Sequence, residues 1–329
     1  MWGQGTGGIF FLSGNSFLRY ADARSEIKEV GMIPDGLKNK FLGMMAGKTH
    51  VVAVAMATDP NVLASLRQAY DVAGVGAILC GPYAQIKQVA HDNNIDISPF
   101  EIINADSDLD AARCAVQVVR DGRANVLMKG QIHTADILRA VLNRETGIRE
   151  NNILSHVAVM YSPSRNRTLF LTDIAMVMYP NLETKVHLIN NAVKLAQHTG
   201  VTTPKVAPLC AVEVLNPAMQ ATVDADALHN MNLRGEIKDC IVSGPLALDI
   251  AVSKDAARAK GVVAPIAGDA DVLLFHNIEA GNNTLKSMVQ FGDWIFGGVV
   301  LGARVPVVIN SRSDSDVSKL FSVLCACAM

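Results

Sequence analysis

Behind VPVVI (Val305–Ile309), an apolar run that reads as a buried strand, the chain continues NSRSDSD (Asn310–Asp316). Ser311 and Ser313 can donate hydrogen bonds, Arg312 is a fixed, forked cation, and Asp314 and Asp316 are acids at the mouth of a last helix. A guanidinium fork matches phosphate oxygens, and a serine hydroxyl can meet an oxyanion as it develops. The plainer reading is a surface turn with Asp314 as the helix N-cap. Arg312 argues against it, because a cation at a helix N-terminus is misplaced unless an anion offsets it.

Three further stretches share this polar, glycine-punctuated character. In MKGQIHTADILR (Met128–Arg139), a strand runs out into Lys129 and Gly130, His133 or Thr134 can cap the next helix, and Arg139 lies one turn further on. Free N–H groups at a helix start attract anions, and Lys129 would add a full charge. SGPLALDIAVS (Ser243–Ser253) breaks a strand at Gly-Pro, with Asp249 opening a helix. In IEAGNNTLK (Ile278–Lys286), Glu279 opens a helix beside Gly281 and Asn282, and the glycine permits close approach of another backbone. Two apparent phosphate motifs carry almost no weight. GQGTGG (Gly3–Gly8) has no strand before it, and GMMAGKT (Gly43–Thr49) is one residue short of a P-loop and follows a helix.

The elements that position these stretches alternate. After a helix over Ser25–Ala46, strands His50–Ala57, Gly76–Gly81, Phe100–Asn104 and Ala124–Gly130 are separated by helices of ten to fifteen residues. That pattern implies βαβ units and a parallel sheet, with ligands beyond the carboxyl ends of the strands. SHVAVMYS (Ser155–Ser162) and RTLFLTD (Arg167–Asp173), joined by the turn-like PSRN, predict an antiparallel hairpin. Alternation resumes through PKVAPLCAV, CIVSGPLALD, DVLLFHN and GVVLGA.

At 329 residues the chain is longer than one core usually supports, which predicts two domains with a change near Glu150–Asn152. Half the residues are apolar but only 5% are aromatic, the composition of an α/β core rich in small aliphatic residues. The net charge of −2 and the lack of a basic run exclude a nucleic-acid footprint. The apolar runs fall far short of the ~18 residues a membrane span needs. No basic leader precedes the apolar patch IFFL, so the Gly-rich start (1–24) reads as a disordered lead-in or an expression remnant. Six scattered cysteines without a C-x-x-C pair suit a reducing cytoplasm, as small buried hydrophobes.

LMKGQIHTADILRAVLNRETGIR, SHVAVM, LTDIA, NPAM, GPLALD, KGVVAPIAGDADVLL, IEAGN, GARVPVV and SRSDS, in this order, resemble the phosphate acetyl/butyryltransferase family, nearer its butyryl side. The resemblance runs from about Val51 to the C-terminus and leaves residues 1–45 nearly untouched. It implies reversible acyl transfer between coenzyme A and inorganic phosphate. It also implies two α/β domains of isocitrate/isopropylmalate dehydrogenase-like architecture with mainly parallel sheets and a cleft between them. The first would comprise 1–150 plus 300–329 and the second, inserted, 151–299. CoA would be a co-substrate, with no permanent cofactor or metal, in a homodimer or larger assembly. Ser311 and Arg312 match the family's C-terminal loop, and Arg139 its helix arginine. The family's basic aspartate falls on Ser318, so Asp314 is the expected acceptor of the thiol proton, with Asp316 near it. Lys129, Gly130, His133, Thr134, Glu279, Gly281, Asn282 and Ser313 complete the expected binding set. Two competing readings are a metal- and NAD-dependent decarboxylating dehydrogenase and a non-catalytic CoA or acyl-phosphate sensor.

Overall fold

The computed structural model describes residues 33–150, 153–311 and 314–329. The glycine-rich start, the first part of the helix expected from Ser25, and Arg312 and Ser313 lie outside the described residues. Helix α1 (Asp35–Met45) leads into strand β1 (Val51–Ala55), after which α2 (Pro60–Ala73), β2 (Gly76–Gly81), α3 (Tyr83–Asp92), β3 (Glu101–Asn104), α4 (Asp108–Arg120), β4 (Val126–Lys129) and α5 (Thr134–Val141) alternate. The hairpin β5 (Ser155–Ser162) and β6 (Arg167–Thr172) follows, then α6 (Leu182–His198), β7 (Lys205–Pro208), α7 (Gln220–Leu233) and β8 (Ile241–Val242). The chain ends with α8 (Leu248–Val252), α9 (Lys254–Ala259), β9 (Val272–Leu274), α10 (Ile278–Phe291), β10 (Ile295–Leu301), β11 (Val307–Val308) and α11 (Asp316–Cys327). No described helix is long and apolar enough to cross a membrane.

Local signals explain where helices begin and stop. Asp59 accepts the Asn61 and Val62 N–H groups ahead of α2, Pro60 occupies its first turn, and Gly74 at φ 66° ends it. Ser107 caps α4 above an acidic first turn. At α11 the cap is Ser315, which accepts the Ser318 N–H, and not Asp314 as the sequence suggests. At α5 the cap position is His133, but no side chain makes a capping bond, so the expected cap by His133 or Thr134 is also corrected.

Among the described residues, the eleven strands form one sheet in the order β3-β2-β1-β4-β11-β10-β5-β6-β9-β7-β8. The outer sets are parallel, and the hairpin β5–β6 is antiparallel as expected. GVVLGA departs from the expected alternation: β10 runs antiparallel to both β11 and β5. Inserting that reversal turns the sheet's two parallel sets against each other. The carboxyl ends of β4 and β11 therefore lie at one edge, and those of β6, β7, β8 and β9 at the opposite edge.

Alternation along the strands assigns the core to two faces. On one face a single cluster runs the length of the sheet, joining Val54 and Met128 to Val157, Phe170 and Val299 beneath α1, α2, α6 and α11. Each such side chain stabilises by roughly 1.5–3 kcal/mol when fully buried. Gly297 lets α11 lie directly on β10, since a Cβ there would sit 2.8 Å from the Phe321 backbone. On the other face the core is divided. One cluster gathers Leu127, Ile137, Val300 and Val307 under α4 and α5, and a separate one gathers Ala158, Leu171, Leu285 and Phe296 under α8 and α10. The division falls on β5 and β10, where His156 and Gly298 occupy the same face.

Candidate functional site

β4 delivers its last residue, Lys129, to the divided face, because Leu127 two positions earlier belongs to the α4–α5 cluster. The next residue has to be glycine. A Cβ on Gly130 would sit 2.1 Å from the Met56 carbonyl oxygen, because the chain here crosses the end of β1. Two bonds hold that crossing: Gly130 N–H donates to Ala55 O and Gln131 N–H to Met56 O, both at 2.8 Å. Met56 itself sits at φ 58°, an unusual conformation for a long side chain, of a kind that collects at functional sites. The Lys129 ammonium lies 3.3 Å from the Gly130 carbonyl oxygen.

On the neighbouring strand, Val308 pairs with Met128 in parallel register, so Ile309 comes beside Lys129. Beyond it Ser311 and Asp314 are tied to each other twice. The Ser311 N–H donates to Asp314 Oδ2 at 2.7 Å, and the Asp314 N–H donates to Ser311 O at 3.1 Å. Lys286 from α10 approaches Asp314 Oδ1 at 3.5 Å, and the buried ammonium of Lys319 donates to the Asp314 backbone carbonyl. The Asp314 side chain, the expected proton acceptor, is therefore only 6% exposed and already engaged. Ser311 is exposed, while Ser318, at the family's aspartate position, is buried.

Sequence reasoning missed three side chains here. Lys286 and Lys319 sit on the helices that flank the loop. The third, His156, lies in the middle of an apolar strand, where a sole histidine reads as core. Its imidazole rests on Gly298, where a Cβ would come within 2.6 Å of Cε1 and 2.8 Å of Nε2. Burial pushes its pKa down, against the opposing pull of the Asp173 and Asp314 carboxylates and the Ile309 carbonyl. Nδ1 is buried with no hydrogen-bond partner among the described residues, and neither has Oδ1 of Asn310, at the start of the same loop.

The remaining expected residues are elsewhere or otherwise occupied. Arg139 is exposed, pairs with Asp136 at 2.7 Å and lines a groove between α4 and α5 with Arg113 and Cys114. Gly281 permits the close approach expected of it, with its missing Cβ 2.4 Å from Asp173 O, and Asn282 donates to Ile174 O at 3.0 Å. Glu279 accepts the Tyr179 hydroxyl at 2.8 Å. These three dock α10 onto the segment after β6, at the edge opposite the end of β4. The Asp173 carboxylate is satisfied there by the N–H groups of His156, Ala175 and Met176.

A second buried polar cluster lies beyond β7 and β9. Lys185 donates to Asp224 and, at 2.9 Å, to His276 Nδ1, while Gln220 donates to the other Asp224 oxygen at 2.8 Å. No group of three or more His, Cys, Asp or Glu side chains among the described residues is placed to hold a metal ion. The described cysteines are free thiols. Cys80 and Cys114 share a hydrogen bond that raises the first and lowers the second, a pairing across β2 and α4 that sequence spacing does not reveal.

Residues 108–327 match the family model described as phosphate acetyl/butaryl transferase. The chain is 46% identical over 275 residues to the phosphate butyryltransferase of Clostridium acetobutylicum, covering 84% of this chain and 91% of that one. It is 38% identical over 284 residues to the phosphate acetyltransferase of Thermotoga maritima, covering 86% and 96%. Among solved structures, a branched-chain phosphotransacylase from Enterococcus faecalis V583 superposes with a TM-score of 0.76 at 33% identity, covering 85% of this chain and 98% of that one.

Proposed function

This chain belongs to the phosphate acetyl/butyryltransferase family, and on that premise we propose a reversible phosphate acyltransferase acting at the carboxyl ends of β4 and β11. The observation that carries the reading is the concentration of positive charge about one exposed serine. Lys129 stands beside Ile309, and Lys286 and Lys319 hold Asp314, all around the loop that presents Ser311. A phosphorylated substrate suits such a site, and Arg312 would add the forked cation.

In the acyl phosphate direction, the CoA thiolate attacks the carbonyl and phosphate leaves. Ser311 donates to the developing oxyanion, while Lys129, Arg312 and Arg139 hold phosphate oxygens of acyl phosphate or CoA. Gly130, His133, Thr134 and Ser313 shape the anion site, and Glu279, Gly281 and Asn282 fix α10 as its far wall. Asp314, engaged as it is, holds the turn. A thiol of pKa ~8.5 costs only about 2 kcal/mol to ionise at neutral pH. A lost oxyanion donor costs ~2.7–4 kcal/mol, and correct positioning is worth ~7–11 kcal/mol. Placement therefore outweighs the identity of the base.

The same reading takes acyl-CoA, CoA, inorganic phosphate and acyl phosphate as partners, with no resident cofactor, nucleic acid or membrane. It places the enzyme in the cytoplasm as a homodimer or larger homo-oligomer, with 1–150 plus 300–329 as one domain and 151–299 as an inserted second. Release of free CoA from butyryl-CoA or acetyl-CoA, followed with and without phosphate over a chain-length series, tests it. Turnover should require phosphate and collapse in Arg312→Ala. Release that ignores phosphate, or full turnover in that variant, would overturn it.

A further inference from the structure

We propose that Asn310 and Ser322 are positioning residues for acyl transfer: the side-chain amide of Asn310, bonded to the Ser322 hydroxyl, fixes the root of the loop after β11 so that Ser311, the next residue, meets the reacting carbonyl in working geometry. The inference rests on reading the Ser311 loop as the acyl-transfer site.

The sheet alone holds this loop poorly. β11 is two residues long and pairs with β10 at Val307 and with β4 at Val307 and Val308, so the pairing ends before Asn310. Alternation carries Asn310 to the same face as Val308, the face that α11 covers. There its Nδ2 donates to Ser322 Oγ at 3.1 Å. The fully buried Ser322 hydroxyl also accepts the Gly298 N–H of β10 at 2.9 Å and donates to the Ser318 carbonyl at 2.7 Å. Its one donor and two acceptor sites are then all used. Since the hydroxyl has no proton left to give, the amide must present its N–H side, which fixes its orientation. Oδ1 has no partner among the described residues, so the Ser322 bond is the side chain's one hydrogen bond there.

α11 is a firm reference for that bond. Its Phe321 packs edge-on against Phe41 of α1 at 5.3 Å, and Gly297 of β10 lets its backbone lie directly on the sheet. Lys319, three residues before Ser322 on the same face of the helix, donates to the Asp314 carbonyl. The helix thus grips the corner at both ends, Asn310 through Ser322 and Asp314 through Lys319, with Ser311 between them. A placement error of about 1 Å can cost a hundredfold in rate. A single hydrogen bond at the root therefore bears on kcat without either side chain having to touch substrate.

The test compares full-length Asn310→Ala, Ser322→Ala, the double variant and Ser311→Ala with the parent enzyme in phosphate-dependent CoA release. Asn310→Ala and Ser322→Ala should each lose about ten- to a hundredfold in kcat, with KM for CoA and phosphate changed far less. The double variant should fall no more than about twofold below the less active single variant, because both remove the same bond. Parent-like kcat in a folded Asn310→Ala, or losses that multiply in the double variant, would overturn the proposal, provided Ser311→Ala is inactive; an active Ser311→Ala would instead overturn the reading of the loop. Should Ser322→Ala fail to fold, Asn310→Asp takes its place. That side chain keeps the shape of asparagine but brings no donor to a hydroxyl whose own proton is committed to Ser318. Its kcat should fall with that of Asn310→Ala, and parent-like kcat there refutes the role of the bond.

Discussion

His156 and His276 are both histidines set among buried charge near strand ends, and both are pushed toward the neutral form by burial. Their surroundings differ in completeness. At His276, Lys185 donates to Nδ1 and to Asp224, and Gln220 closes the carboxylate, so every partner on that side is used. At His156, Nδ1 has no partner among the described residues, the neighbouring Asn310 Oδ1 has none either, and the carboxylate of Asp314 is divided between a backbone N–H and a distant lysine. A closed network does most for the fold, because breaking it strands a charge; an open one keeps unused capacity where a ligand can supply what is missing.

The sharpest way to break this contrast is to open the closed cluster. Lys185→Met removes one member of a buried ion pair and leaves Asp224 uncompensated, which should cost about 3–5 kcal/mol of stability in urea unfolding. The folded fraction should keep its kcat. Ser311→Ala should behave in the opposite way, with stability within about 0.5 kcal/mol of the parent and kcat down by about a hundredfold or more. If Lys185→Met lost activity while remaining folded, the two clusters could not be sorted by completeness.

Glycine substitutions sharpen the same comparison at smaller scale. Gly130→Ala and Gly281→Ala both drive a methyl into a backbone carbonyl, Met56 O in the first and Asp173 O in the second. Each should cost about 1–3 kcal/mol. Gly130→Ala should also reduce kcat strongly, because it shifts the strand end that carries Lys129; Gly281→Ala, which acts only through the seating of α10, should reduce it far less. Equal activity losses from the two would mean that the Asp173 edge takes part in the chemistry.

Much of the fold was legible because buried strands such as GAILCG and the caps Asp59 and Ser107 are local signals. The direction of β10 was not. IFGGVVL is buried along its whole length, and a strand buried on both faces carries no mark of which way its neighbours run. The loop residues Ser311 and Asp314 could be found because polar groups abruptly follow an apolar strand. His156, Lys286 and Lys319 could not, since each belongs to an element whose own periodicity explains it; only the fold brings the two lysines to Asp314 and sets the imidazole against Gly298. Even the plainer reading of Asp314, as the N-cap, gives way to Ser315, which one residue on does that work equally well in sequence terms.

Acid stability offers a further comparison between the two histidines. A histidine whose folded pKa lies below its unfolded value of ~6.5 contributes stability that is complete above that pH. Below it the unfolded chain binds more protons, so stability falls with pH until the folded pKa is reached. Both His156 and His276 are depressed, so both should steepen the loss of stability on acidification. Urea midpoints from about pH 7 to 5 should fall less in His156→Gln than in the parent. An unchanged slope in that variant would show that the His156 ring binds protons alike in the folded and unfolded chain, so that burial does not depress it.

The smallest expected effect concerns Arg139, which stands apart from both clusters. Its bond to Asp136 is an exposed i,i+3 pair on α5, and Asp136→Asn should alter stability by only ~0–1 kcal/mol. The substitution also frees the guanidinium from its carboxylate. If Arg139 swings to the anion site during turnover, releasing it should lower KM for phosphate or CoA without a matching change in stability, and raising salt should shrink the gain. If both KM values stay at the parent level, Arg139 belongs to the groove between α4 and α5, and the burden of phosphate binding passes to Lys129, Lys286 and Arg312.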